Sequence, residues 1–499
     1  MSVELVGTLL PRVPREAATL LRQPPPGADW LELRLDALAE PTPAAVAALL
    51  ALPRSIPVLV ACRPCAASDG TVPLDDDARL ALLAAAGEAG ADLIDVEDNL
   101  LERFPASVPG QRLASCHLGK FAPRLSALAR RVAGRGAAYG KLAVPADTPR
   151  QLAELLALQE EVGRAVSIVP TGRLAEAGRV MLAGRGAALA YGALDAERRG
   201  HPDQPLLARL HDVFHVETVG PATRFYAVVA RPVAHSLSPA WHNSVFRAVG
   251  QDARLVALEA EHMADVLESA DALRLDGCAV SHPLKQEALA AAASHMPGAL
   301  ATGAANTLLR TPAGWQARNT DWKAACELLP RLLRGWRRAH AGQVPKVLLL
   351  GSGGAARAMA MALADEEVEL AVWSRRFSHA KALAEELRDS LPSIAVPEPG
   401  HAPADLVINA TPVGSPGAEL GEMQFTAALF RSGALAVDLA YGGQASPFRR
   451  AATLAGAQLT RGEDFFCLQA RRQSEIFTGA SITEEMRAAA VRACGLAAS

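Results

Sequence analysis

Across the first 215 residues, short apolar runs alternate with longer stretches rich in Ala, Leu and Arg. The runs are VELVGTLL from residue 3, WLELRLD from 30, PVLVACR from 57, DLIDVED from 92, RLASCH from 112, AAYGKLAV from 137, AVSIVP from 165 and AALAYG from 187. Continuous apolar runs bounded by turn residues and followed by helix-length segments predict buried parallel strands with crossover helices. Eight such units in about 200 residues predict a (β/α)8 barrel, whose active site lies at the C-terminal ends of the strands. HVETVGPATRFYAVVA then reads as a connector, with Gly220 and Pro221 as its turn signal. Strand and helix patterns resume to about residue 325. KVLLLGSGGAARAMAMAL from 346 reads strand, glycine turn, helix, with a second strand ELAVWSRR from 369. Gly351, Gly353 and Ala356 take the spacing of a dinucleotide-binding turn.

The polar residues gather at the predicted strand ends. Glu32, Arg34 and Asp36 alternate with leucines and share one face. Arg63 closes the third run, Glu97 the fourth and His117 the fifth; Lys141 lies in the sixth, Arg179 follows the seventh, and Gln204 lies beyond the eighth. At one barrel mouth this set suits an anionic carbonyl compound. Lysine is scarce: Lys120, Lys141, Lys285, Lys323, Lys346 and Lys381 are the only ones among 50 Lys and Arg. A lysine inside an apolar strand near Arg34, Arg63 and Arg179 is expected to lose hydration and feel like charges, both favouring the neutral, nucleophilic amine. Such an amine forms an imine with a ketone and acidifies the neighbouring C–H, for which His117 is a base within reach.

Composition narrows the function classes. Half the residues are apolar, a fifth are charged and the net charge is −3, so neither nucleic acid nor an anionic membrane is an expected partner. No apolar stretch approaches the roughly 18 residues of a membrane span, and the opening MSVELVGTLLPRVPREA lacks the pattern of a secretory signal. The seven cysteines are scattered, and Cys62 and Cys65 form a lone CxxC. A cytoplasmic chain with reduced thiols and no metal site is expected.

These motifs carry a resemblance. Residues 1–215 resemble the type I 3-dehydroquinate dehydratases in the E-x-R-x-D strand, the histidine after the fifth strand and the lysine in the sixth. Residues 224–499 resemble shikimate dehydrogenase, with HSLSP, KQEA, GAANTL, NTDW, GSGGAARA, SRR, NATPVG and DLAYGGQASPF in family order. The tandem arrangement is similar to the fused bifunctional enzymes of plants. The resemblance implies an α/β chain: a barrel over 1–218, a substrate-binding domain over 224–325, a Rossmann NADP-binding domain over 326–463, and helices from 464 to 499 that pack back on the substrate domain. It implies dehydration of dehydroquinate to dehydroshikimate through a lysine Schiff base, then reduction to shikimate with NADPH. Lys141 is then the Schiff-base lysine and His117 the acid/base, with Glu32, Arg34, Arg63, Arg179 and Gln204 on the substrate. In the second half Lys285 and Asp321 are the catalytic pair. Ser236 and Ser238 hold the carboxylate, while Asn306, Thr320, Tyr441 and Gln469 hold ring hydroxyls. Gly351, Gly353, Gly354, Ala355, Thr411 and Gly462 line the cofactor site. Ser374, Arg375 and Arg376 stand where NAD-type folds carry an acidic residue, and suit a 2′-phosphate.

The chain departs from the family pattern at several points. The loop glutamate expected after Arg63 is replaced by Ala67, with Asp69 nearby, and the serine expected before Gln204 is Gly200. His282 replaces a small apolar residue and reads as a packed, hydrogen-bonded histidine, the alternative being a third polar group in the site. Trp322 replaces a glycine and, with Trp241, reads as packing. His235 and His242 read as shaping the serine loop, and Glu97 as a structural carboxylate. Two rival functions follow from the same residues. One is a catabolic NAD-linked quinate/shikimate dehydrogenase, which Ser236, Ser238 and the basic 374–376 turn oppose. The other is a non-catalytic sensor of pathway intermediates, opposed by intact Lys141, His117, Lys285 and Asp321.

Overall fold

The computed structural model describes residues 2–64, 73–134, 136–396, 403–415, 425–441 and 446–496. The position of the missing loop glutamate, Ala67, and its neighbour Asp69 lie outside the described residues. Each of the eight apolar runs is a strand: β1 (Glu4–Leu9), β2 (Trp30–Arg34), β3 (Val58–Ala61), β4 (Leu93–Glu97), β5 (Gln111–His117), β6 (Tyr139–Pro145), β7 (Val166–Thr171) and β8 (Leu189–Ala193). They form one parallel sheet in the order β7-β6-β5-β4-β3-β2-β1-β8, a near-closed barrel.

Strand alternation divides the side chains into two layers. Leu31 and Leu33 of β2 join Val58, Val60, Ile94 and Val96 in the core beneath the helices. The opposite set faces the barrel interior, where Val6, Leu59, Leu93, Leu113 and Tyr191 pack together. Register carries that interior set upward into polar residues: Thr8 pairs with Glu32, Ala61 with Asp95, and Lys141 with both Ser115 and Ser167. A polar layer therefore sits inside an apolar barrel, and such a layer persists only where its members satisfy one another.

By contacts the chain divides into two compact units, one comprising residues 1–224 with 256–259 and 265–274, the other the remainder. Among its described residues the second half contains two sheets. The first has the order β10-β9-β11-β13-β14-β12, built from β9 (Arg224–Ala230), β10 (Ala253–Glu259), β11 (Leu275–Val280), β12 (Ser294–His295), β13 (Thr307–Thr311) and β14 (Gly314–Arg318). The second is fully parallel, in the order β16-β15-β17-β18-β19, from β15 (Lys346–Leu350), β16 (Glu369–Trp373), β17 (Ala404–Asn409), β18 (Phe430–Asp438) and β19 (Gln458–Thr460). Its order reverses beside β15, the place where open α/β sheets bind ligands. The helix Thr320–Ala339 packs on this sheet through Ala325, Leu328, Leu329 and Leu333. The helix Gly462–Thr478 returns to the first sheet, where Tyr226 donates its hydroxyl to the carbonyl of Phe477 at 3.0 Å. Among the described residues no helix is long and apolar enough to cross a membrane.

Candidate active sites

Lys141 is buried halfway along β6. Its ammonium donates to Asp95 Oδ2 at 3.1 Å and to Glu32 Oε1 at 3.2 Å, and stands 4.0 Å from the centre of the Tyr191 ring. This corrects the expectation of a lysine crowded by arginines. Two buried carboxylates and an aromatic face are its nearest partners, while Arg34 is paired to Asp36 at 2.7 Å and Arg63 to Glu97 at 2.8 Å. Burial works against the Asp95 charge, but Lys141 and then Arg63 outweigh it and hold the carboxyl below its ordinary value.

Glu32 links the lysine to the loop after β8. Its other oxygen accepts from the Thr8 hydroxyl at 2.6 Å, and Thr8 accepts from Gln204 Nε2 at 2.8 Å. Gly200 contributes backbone where the family places a side chain. Its N–H donates to Gln204 Oε1 at 3.0 Å and its carbonyl accepts from Arg34 at 3.3 Å. A Cβ at Gly200 stands 2.9 Å from Gln204 Oε1 and 3.1 Å from Arg34 Nη1, so a side chain here requires the ends of Gln204 and Arg34 to shift.

His117 closes β5, one alternation above Ser115, the register partner of Lys141. Enclosure by the barrel wall, then the charges of Arg63, Lys141 and Arg34, hold its imidazole well below the usual histidine value. The ring opens onto the solvent of the mouth rather than the packed interior, so the cationic neighbours are the firmer part of that effect. At neutral pH His117 is an uncharged base. Glu97 is shared by Arg63 and the buried Arg79, which also holds the carbonyl of Cys62. Arg179 is buried rather than at the open mouth, donating to the carbonyls of Tyr191 at 2.7 Å and Pro170 at 3.1 Å. Burial brings its guanidinium down to about 10.

The second site is a cleft of about 850 Å³. Lys285 begins the helix Lys285–Ala290, and Asp321 lies in the first turn of Thr320–Ala339, where a helix favours an anion. Their side chains meet at 2.6 Å in the cleft wall. On one side Ser236 accepts from the Ser238 N–H at 3.2 Å and is bonded to Tyr441. Burial pushes the Tyr441 phenol up to about 12, so it stays a donor. Deeper in, Asn306, Thr320 and Gln469 hydrogen-bond to one another at 2.8–3.4 Å.

The glycine turn forms another wall of the same cleft. Gly351 follows β15 with φ +119°, and a Cβ there stands 2.9 Å from the carbonyl of Ala410. At Gly353 a Cβ meets nothing within 4 Å and projects into open space, whereas at Gly354 it stands 3.1 Å from the Lys285 side chain. Gly353, Gly354 and Ala355 line the cleft, and the free N–H groups of the helix Gly354–Ala362 suit an anion. Ser374, Arg375 and Arg376 line it just past β16, with Ser374 bonded to Ser352 at 3.2 Å. Thr411 donates twice to Asn409 Oδ1, at 2.6 and 3.1 Å, and Gly462 fits directly against the carbonyl of Ala440. These features suit a dinucleotide pyrophosphate and a phosphorylated ribose.

The structure brings the predicted residues of each half into one site, with Arg179 the most withdrawn. His282 is not packed as expected: it is exposed at the cleft wall near Lys285, and partial enclosure by the cleft, then the Lys285 charge, lower its imidazole. The residues that sequence reasoning missed are Asp95, Thr8 and Tyr191 around Lys141, and Gln473 in the cleft. Asp95 had a legible signal, since it stands two residues before Glu97 on the same face of β4.

Comparison with known proteins gives the two halves separate matches. The profile of the type I 3-dehydroquinase family matches residues 9–221, and that of the shikimate dehydrogenase substrate-binding domain matches residues 228–308. A chloroplastic bifunctional 3-dehydroquinate dehydratase/shikimate dehydrogenase of Arabidopsis thaliana is 27% identical over 482 residues, covering 92% of this chain and 79% of the relative. An NADP(+) shikimate dehydrogenase of Anaeromyxobacter sp. strain K is 37% identical over 280 residues, 54% of this chain and 96% of that protein. The crystal structure of a Thermus thermophilus shikimate 5-dehydrogenase with NADP(H) and shikimate is 31% identical and covers 54% of this chain and all of that one, with a TM-score of 0.45.

Proposed function

The chain belongs to the shikimate dehydrogenase family through its second half and carries a type I 3-dehydroquinase domain in its first, and from that membership we propose that it runs two consecutive reactions. The barrel dehydrates 3-dehydroquinate to 3-dehydroshikimate, and the cleft reduces 3-dehydroshikimate to shikimate. The observation that supports this reading is that each half joins a lysine to carboxylate, the first one register step below His117 and the second against a glycine turn.

In the barrel, Lys141 gives up a proton to Asp95 or Glu32 and attacks the substrate ketone, and loss of water yields the imine. His117 removes the proton from the adjacent carbon, the electron pair moves toward the iminium nitrogen, and the hydroxyl leaves as water with a proton from His117. Hydrolysis of the imine restores the lysine. Arg34 and Arg63 provide the positive surroundings for the substrate carboxylate, Arg179 braces the strand ends from within through the carbonyls of Tyr191 and Pro170, and Gln204 fixes the loop over the mouth.

In the cleft, NADPH when bound supplies the hydride. Gly351, Gly353, Gly354, Ala355, Thr411 and Gly462 would hold it, with Ser374, Arg375 and Arg376 at the 2′-phosphate. The protein delivers the proton: Lys285, paired to Asp321, donates to the carbonyl oxygen as negative charge develops there. Ser236 and Ser238 bind the carboxylate, and Asn306, Thr320, Tyr441 and Gln469 bind ring hydroxyls. The domains proposed are 1–218, 224–325 and 326–463, with the helices of 464–499 completing the substrate domain. The scattered thiols favour a cytoplasmic setting, and the partners proposed are the small-molecule substrates.

The barrel chemistry is tested by reduction with borohydride in the presence of dehydroquinate or dehydroshikimate. A ligand-dependent mass on the peptide containing Lys141 is expected. Modification elsewhere, or without ligand, would overturn the Schiff-base assignment.

A further inference from the structure

Behind the ring-hydroxyl residues lies a buried chain of hydrogen bonds whose direction the backbone dictates. Gln473, one turn beyond Gln469 on the helix Gly462–Thr478, is buried, and its side-chain nitrogen donates to the Asn306 carbonyl at 3.0 Å and the Thr307 hydroxyl at 2.8 Å. A carbonyl only accepts, so the amide orientation follows from chemistry. Gln473 Oε1 is then an acceptor facing His242 Nε2 at 3.1 Å, and that ring nitrogen must carry the proton. His242 Nδ1 is in turn an acceptor, so the Ser474 hydroxyl donates to it at 3.0 Å and itself accepts from Trp241 Nε1 at 3.1 Å. The histidine has no exposed surface.

The same logic runs forward into the cleft. Asn306 Oδ1 accepts the backbone N–H of Thr320 and the hydroxyl of Thr307, each at 2.8 Å, which turns Asn306 Nδ2 toward Thr320 Oγ1 at 2.8 Å and Gln469 Oε1 at 3.4 Å. Thr320 accepts from Asn306 and donates its own hydroxyl hydrogen bond to Gln469 Oε1 at 3.2 Å. The oxygen of Gln469 is thus turned into the wall and its NH2 group toward the cleft it lines.

We propose that His242 and Gln473 are positioning residues that fix the polarity of this subsite, so that Gln469 presents N–H donors and recognises ring oxygens by their lone pairs. The inference rests on the reductase reading of the cleft, but the network can be judged without it. Selective 15N-histidine labelling of the whole chain, with a His242→Gln variant for assignment, should show the His242 ring neutral and protonated at Nε2 throughout pH 5.5–8.5. A proton on Nδ1, or on both nitrogens, within that range would overturn the network. Kinetics reads the consequence. Gln469→Glu keeps the shape but replaces the donor with an acceptor, and should lower kcat/KM for dehydroshikimate at least tenfold further than Gln469→Ala. Gln473→Met should raise the dehydroshikimate KM about tenfold while the NADPH KM stays within twofold. Glutamate tolerated as well as alanine, or both KM values rising together in Gln473→Met, would refute the polarity role. No turnover of dehydroshikimate by the unaltered chain would instead refute the reductase reading, leaving the labelling result to judge the network.

Discussion

Asp95→Asn removes one negative charge beside the barrel lysine and keeps the shape of the site. In the native protein Asp95 Oδ2 accepts from Lys141 at 3.1 Å, and both groups are buried, so water screens the pair weakly. A charge-assisted hydrogen bond of this kind is worth about 1.5–3 kcal/mol. That bond stabilises the ammonium and not the transition state, so its energy does not set the rate; if Asp95 takes the proton that Lys141 must lose, Asp95→Asn forfeits a positioned base, a contribution of roughly 100-fold or more. Glu32 remains at 3.2 Å as a second acceptor, which keeps the loss below that of removing the lysine. The native Asp95 carboxyl is held below its ordinary value, so its contribution is complete above about pH 4 and is lost only as pH falls through the lowered value. The difference between native and variant should therefore be constant from pH 5 to 9. The assay is the initial rate of conjugated enone formation from dehydroquinate, with reduction of added dehydroshikimate as the internal control. Dehydration within threefold of native, or an equal loss in both reactions, would refute the role given to Asp95.

Three further outcomes are expected. Lys141→Ala should abolish dehydration and leave reduction within a few-fold, and Asp321→Asn should do the reverse; loss of both activities from either change would contradict two separate sites. Arg375→Ala with Arg376→Ala should raise the NADPH KM about 100-fold, two charge-assisted contacts at about 1.5 kcal/mol each, and leave the NADH KM nearly unchanged, with the native preference weakening as salt rises; equal native use of both nucleotides would refute this. His242 is fully buried and burial pulls it down to about 3, so the unfolded chain binds a proton there below about pH 6.5 that the folded chain refuses. Stability should fall as pH drops below that value, with His242 contributing a slope of up to about 1.4 kcal/mol per unit, and thermal midpoints of His242→Gln should depend less on pH between 7 and 5 than those of the native chain.

The fold was legible because buried parallel strands leave a simple mark. Runs such as Val58–Ala61 and Val166–Thr171 are buried along their whole length, so they stand out as unbroken apolar segments. The lysine, histidine and glycine positions were legible from residue type at fixed spacing. The charge balance around Lys141 was not, because alternation tells which face a residue takes but not which residue of another strand meets it. Arg34 and Arg63 are near in pattern, yet each is held by a carboxylate of its own, while Asp95 reaches Lys141 from 46 positions away. His282 was misread because a loop histidine carries no periodic signal separating a cleft wall from a packed interior. Gln473 escaped notice for a related reason: its contacts are with Asn306, Thr307 and His242, all more than 160 residues distant.

The central claim, two consecutive reactions in one chain, is tested most directly by mixing the purified protein with dehydroquinate and NADPH and following both the enone absorbance and nucleotide oxidation. The enone should rise without nucleotide, and with NADPH it should be consumed as one nucleotide is oxidised per shikimate formed. Enone without nucleotide oxidation, or oxidation only when dehydroshikimate is added from outside, would contradict it.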